Sequence, residues 1–297
     1  MTKGPEIAAP GTVTAEDSAG GNAGLEARLR RVGAGSDADI DLGEAGLLLA
    51  AYRRPNLDLE RYRHHLSLLV RDAAELGRKR AAGDSLTARA GVLRAVLAER
   101  YGYAGDKETY DDLENADLAR VIDRRRGLPV ALGLLYVYTA ERQGWRASGI
   151  NFPGHFMVRL GLDRDGVILD PFNGGTVRTM SDLGAMLKTY GGADAELAPN
   201  HTAVVGRREL LLRLQNNIKL RLLAAGRTAA GLQALDTMIM LAPDKAELWG
   251  EAGALQGELG NLRAAIASLQ HSLQLGLEPS DAAPTTDLLR QLRARLH

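Results

Sequence analysis

The stretch "RRRGLPVALGLLYVYTAERQGWRASGINFPGHFMVRL", Arg124–Leu160, decides the fold. Pro129 suits the first turn of a helix, where its missing N–H costs nothing. "PVALGLLYVYTAERQG" is apolar on most sides, so this helix belongs inside the protein, and Gly144 is a C-terminal stop. "RASGINF" and "HFMVRL" then read as strands, "GVILDPF" as a third, and "DRDG" (163–166) as the turn before it. A nucleophile opening a helix and a histidine on a following strand is a layout used by thiol enzymes. His155 is in place, but Pro129 and its neighbour Val130 carry no nucleophilic group.

Strand alternation sorts the second strand. Phe156, Val158 and Leu160 point one way and suit a core, while His155, Met157 and Arg159 point the other way. Register decides whether His155 meets Asp170 of "LDPF". If the two stand opposite each other, Leu160 faces Asp165 across a four-residue loop. If Asp165-Gly166 forms a tight hairpin, Arg164 faces Val167, and the pair is separated by roughly 20 Å along the strands.

Outward from this centre the chain divides into three. Residues 1–38 are rich in Ala, Gly, Ser and Thr and read as a disordered tail. Residues 39–206 hold N-terminal helices and the strands. "DLGEAGLLLAAY" and "DLERYRHHLSLLVRDAAELGRK" show helical spacing, and "SLTARAGVLRAVLAERYG" starts at a Ser85 cap and stops at Gly102. Residues 207–297 are helical again, with helices near 208–225, 228–241, 246–259, 262–276 and 282–296. The pair 246–276 has the length of a tetratricopeptide repeat, with Trp249, Gly253 and Ala265 at its signature places and Gln256 where an aromatic is usual. The segment is either a cap on the first domain or a concave surface for a protein or peptide partner.

Composition limits the function. Lys+Arg and Asp+Glu are both 37, so the chain lacks the basic footprint of a nucleic-acid binder. There is no cysteine, which excludes thiolate chemistry. The N-terminal stretch has no apolar signal core and the longest apolar run is about half a bilayer span, so a cytoplasmic protein is expected. No phosphate loop, dinucleotide fingerprint or metal-ligand cluster is present, and no cofactor or metal is expected. His64 and His65 are neighbours about 100° apart on a helix and chelate poorly.

"GLP…GW…PGHFMVRL…LDPFNGG", with "YDDLENADLARVIDRRRGLPVALGLLY" and "LRLQNNIK", resembles the transglutaminase-like superfamily, and within it the bacterial SirB-type proteins that carry C-terminal tetratricopeptide repeats. The resemblance covers most of the chain from about residue 42. It implies an α+β, papain-like core with a central helix on a small antiparallel sheet. It also implies a Cys–His–Asp triad in which a helix N-terminus activates the thiol, histidine takes its proton and aspartate orients the ring. Matched residue by residue, His155 and Asp170 take the histidine and aspartate places, and Pro129 stands where the cysteine belongs.

The remaining pair has two readings: a vestigial dyad in a ligand cleft, or a brace between strands. Arg126, Asn151, Gly154 and Asn173 are the cleft candidates. The run Arg124–Arg126 is either a solvated face or an anion site at the cleft mouth, and Asn173-Gly174-Gly175 reads as turn geometry or a ligand loop. The chain is expected to be a non-catalytic interaction protein; a hydrolase or amidase using His155, Asp170 and water is the alternative.

Overall fold

A computed structural model describes residues 15–83, 85–161 and 166–296, with side chains from residue 23 onward. Its centre is the helix α6 (Pro129–Glu141), buried along almost its whole circumference. The earlier helices are α1 (Ala15–Ala34), α2 (Leu42–Arg53), α3 (Leu59–Lys79), α4 (Leu86–Leu93) and α5 (Leu118–Arg124). Asp41, Asp58 and Ser85 cap α2, α3 and α4 through side-chain oxygens that accept backbone N–H bonds. A π-helical segment, Arg94–Arg100, continues α4 towards Gly102. Two short strands, β1 (Ala104–Gly105) and β2 (Arg126–Gly127), pair in parallel.

Five further strands form one antiparallel sheet: β3 (Ala147–Ile150), β4 (Met157–Leu160), β5 (Val167–Asp170), β6 (Thr176–Arg178) and β7 (Val204–Val205), in the order β6-β5-β4-β3-β7. The architecture is the expected α+β one. Phe156, Val158, Leu160 and Leu169 join the core around α6. Gly133 lets the helix approach the sheet, since an added Cβ would lie 2.7 Å from the Phe156 ring. The other face is also covered. Helix α7 (Met180–Gly191) packs Leu183 and Leu187 on Ile150, Phe152, Met157 and Ile168. Met157 therefore points away from Phe156, as alternation requires, into a second core.

The disordered-tail reading is corrected from Ala15 onward; residues 1–14 lie outside the described residues. Helix α1 sets Leu25, Leu29 and Val32, at i, i+4 and i+7, against the main core, with Leu29 fully buried. Average composition hid this narrow stripe.

The C-terminal helices are α8 (Arg207–Ala224), α9 (Thr228–Leu241), α10 (Ala246–Glu258), α11 (Leu262–Leu275) and α12 (Pro279–Leu296). No gap in the apolar core marks residue 206. One cluster runs from Leu29 through α6 to Leu210, Leu214 and Ile218 of α8, then Leu235 of α9 and Leu255 of α10. The Asp37 carboxylate accepts from the Arg207 and Arg208 backbone N–H groups at 3.0 and 2.8 Å, closing the start of α8. Within the repeat, Gly253 permits a close crossing: an added Cβ would stand 3.1 Å from the Ala265 carbonyl. Gln256 replaces the usual aromatic by accepting a 2.8 Å hydrogen bond from Ser268.

Where α1 meets α9, half-buried Asp236 is pushed up to about 6, first by burial and then by the charge of Glu26. A carboxyl whose pKa is raised by folding favours the fold while protonated, so this stabilisation is lost as pH rises through about 6. Asp236→Asn should therefore gain roughly 1–2 kcal/mol at pH 8, after allowance for solvent screening, and almost nothing near pH 4, measured by urea denaturation.

Candidate functional site

The structure joins His155 and Asp170. His155 Nε2 lies 2.9 Å from Asp170 Oδ1, and both side chains are buried. The strand register is neither of the two anticipated. Leu160 faces Val167 and Val158 faces Leu169, which leaves residues 161–166 as the connection. His155 precedes β4 in a turn, its N–H donating to the Phe152 carbonyl at 3.0 Å, and reaches Asp170 from there. Gly154 supplies the left-handed backbone of that turn, φ +70°, beneath the Tyr190 ring.

Asp170 is saturated with donors. Besides His155, Oδ1 accepts from the Asn173 N–H at 3.2 Å. Oδ2 accepts from Asn173 Nδ2 at 2.8 Å and from Arg178 Nε and Nη2 at 3.1 and 2.8 Å. Burial pushes the Asp170 carboxyl up, but the hydrogen bond and charge of His155, followed by Asn173 and Arg178, outweigh it and hold the group below the usual carboxylate range. An ionised Asp170 can only accept, which makes His155 Nε2–H the donor of this bond. The Phe172 ring meets the imidazole edge-on, with centroids 5.8 Å apart.

"DPFNGG" has a local explanation. Asp170 caps the 3-10 turn Pro171–Asn173, and Gly174 and Gly175 follow with φ of +68° and +73°. A Cβ at Gly175 would lie 2.5 Å from the Tyr136 hydroxyl. Asn173 thus sits within the Asp170 cluster. Pro129 occupies the first position of α6 and is buried there. Asn151 is exposed after β3. Arg126 is exposed, donating to the Gly102 and Arg125 carbonyls at 2.9 and 3.0 Å. Among the described residues no hydrogen bond or ion pair links Asn151 or Arg126 to the dyad.

The arginine run is not a uniform solvated face. Arg124 pairs with Asp106 at 2.9 Å. Arg125, at φ +59°, ends α5 and lays its guanidinium 4.9 Å from the Tyr103 ring centroid. It also lies 2.7 Å from His65 Nε2. Burial first, then the Arg125 charge, lowers His65 to about 4, so the ring is neutral and accepts from Arg125 at pH 7.

Sequence reasoning missed Arg178 because β6 and α7 went unread. The capping pair of Thr179 and Asp182 was the available signal: Thr179 N–H donates to Asp182 at 2.8 Å, and Asp182 N–H donates to the Thr179 hydroxyl at 3.2 Å. Arg213, within "LRLQNNIK", was also missed. Its Nη2 donates to the His155 carbonyl at 3.2 Å and its guanidinium lies 5.6 Å from the Phe156 ring centroid. Burial lowers the pKa of Arg213, and no carboxylate among the described residues forms an ion pair with it. Exposed Tyr110 and Tyr190 flank this edge of the site.

A buried His–Asp pair, the histidine in the turn before β4 and the aspartate ending β5, with a central helix packed on the sheet, is the framework of transglutaminase-like proteins, and the chain belongs to that superfamily, whose model matches residues 60–216. A tetratricopeptide-repeat model matches residues 218–297. The chain is similar to the UPF0162 protein of Vibrio cholerae, 30% identical over 260 residues, 87% of this chain and 93% of that one. It is similar to the UPF0162 protein of Xylella fastidiosa (strain Temecula1), 28% identical over 246 residues, 80% of this chain and 85% of the relative. A shorter likeness links it to mouse F-box only protein 21, 32% identical over 82 residues, 28% of this chain and 13% of that protein. No solved structure matches. Among the described residues no helix is long and apolar enough to cross a membrane, and no group of three or more His, Asp or Glu is placed to hold a metal ion.

Because the Asp170 pKa is depressed by folding, its stabilisation is present above about pH 4 and is lost as pH falls below that. Asp170→Asn should cost about 2–4 kcal/mol at pH 7 in urea denaturation and flatten the response of stability to acid below pH 4.

Proposed function

We propose that this chain is a cytoplasmic, non-catalytic interaction protein of the SirB type, with a degenerate transglutaminase-like cleft and a helical-repeat surface. The observation that carries the reading is the state of the dyad. Asp170 is enclosed by donors and His155 is buried, while the helix start that would present a nucleophile holds Pro129. Such a pair braces the β3–β4 connection to β5 and β6. Tetratricopeptide repeats generally mediate protein–protein contacts, which supports a protein or peptide partner. The near side of α8 is occupied by the protein's own core, so the surface left for a partner lies on α10–α12 and at the cleft edge marked by Tyr110, Tyr190 and Arg213.

A hydrolytic reading draws support from the tautomer. With Nε2–H held by Asp170, Nδ1 is the ring nitrogen left to act on a water molecule. His155→Ala separates the two. A brace predicts a melting temperature lower by about 4–8 °C and no difference in amide or ester turnover between variant and wild type. Turnover by the wild type that the variant lacks, at unchanged stability, would sink the non-catalytic reading.

A further inference from the structure

A cavity of about 1010 Å³ opens beside β6, away from the α6 core, between the sheet, the start of α7 and the segment 197–203. Its floor is a cross-strand row. Arg159 of β4 stands opposite Ile168 of β5, and Ile168 stands opposite Arg178 of β6. Directly opposed residues share a sheet face, so two arginines flank one apolar side chain, their backbones two strand spacings or about 10 Å apart. Leu197 and Met180 supply further apolar wall, and Met180 is 57% exposed at the rim. The volume is at the upper end of the range of small-molecule sites, about 300–1,000 Å³, and apolar walls with few fixed polar groups are typical of them.

The two arginines differ. Arg159 is engaged, donating to the Thr202 carbonyl at 2.8 Å among other contacts. Arg178 is fixed along one edge only: Nε and Nη2 grip Asp170, and Nη1 has no partner among the described residues. A planar guanidinium clamped on one edge holds its remaining N–H groups in a set direction, which suits an anionic oxygen. The nearby Asp182 carboxylate is taken up by the Thr179 cap. We propose that this cavity binds an amphipathic small-molecule anion, a carboxylate, sulfonate or phosphate ester with an apolar body. The anionic group meets the free edge of Arg178 and the body lies over Ile168 between Leu197 and Met180. The site is separate from the protein-binding surfaces, but the Arg178 that lines it also holds Asp170, so its ligand would meet a side chain of the dyad's carboxylate network.

The test uses the full chain and two fluorescent probes of one shape, anionic 8-anilino-1-naphthalenesulfonate and neutral N-phenyl-1-naphthylamine. Saturable binding of the sulfonate at one site per chain is expected. Arg178→Gln should weaken the sulfonate about tenfold while changing the neutral probe by less than about threefold, the signature of one lost charge-assisted contact. That variant also loosens Asp170, so Leu197→Trp, which alters the apolar wall without touching the network, is the second arm. It should change the affinity of both probes by a similar factor, at least about threefold, with the protein still folding cooperatively. Absence of saturable binding, sulfonate affinity unchanged by Leu197→Trp, or equal weakening of both probes by Arg178→Gln would each overturn the proposal.

Discussion

The charge on Asp170 organises this half of the molecule. A buried carboxylate is tolerated only when its lone pairs are filled, and its donors come from separate pieces of chain. His155 arrives from the link between β3 and β4, Asn173 from the turn after β5, and Arg178 from the edge strand β6. The requirement to satisfy one side chain thus fixes where three segments can lie. The same contacts would orient an imidazole for proton transfer.

Parts of the architecture were legible because local physics agrees with the global fold. Helix α6 announces itself through Pro129, an apolar circumference and Gly144, and α9 through α11 are bounded by turn signals close to their observed ends. His155 and Asp170 were visible as a pair. Their geometry was not, since both registers considered placed His155 inside a strand, whereas it sits in a turn whose path depends on Gly154. Helix α1 was hidden because three stripe residues in a long Ala- and Gly-rich segment barely move its average composition. Arg125 and Arg178 were unreadable for a different reason: their partners lie on distant segments, and only tertiary contact reveals that a charge in the sequence is spent on a ring or a carboxylate.

The sheet has two working faces. One packs on α6 and carries the main core, and the other is shared between α7 and the cavity. Arg178 connects the cavity side to Asp170, and Asp170 connects to the imidazole. Clamped donors and a rigid strand row leave little slack in this line, so a change of charge at one end alters the field at the other without a large backbone movement.

Helix α8 belongs to two structures at once. Leu210, Leu214 and Ile218 lie in the core of the transglutaminase-like part, while α9 packs along the same helix to begin the repeats. An array attached by a linker can swivel, and its grip on a partner leaves the neighbouring domain undisturbed. An array whose first helix is also a wall of that domain has no such freedom. Swivelling the array would have to tear apolar side chains of α8 out of a core they share with α6 and the sheet.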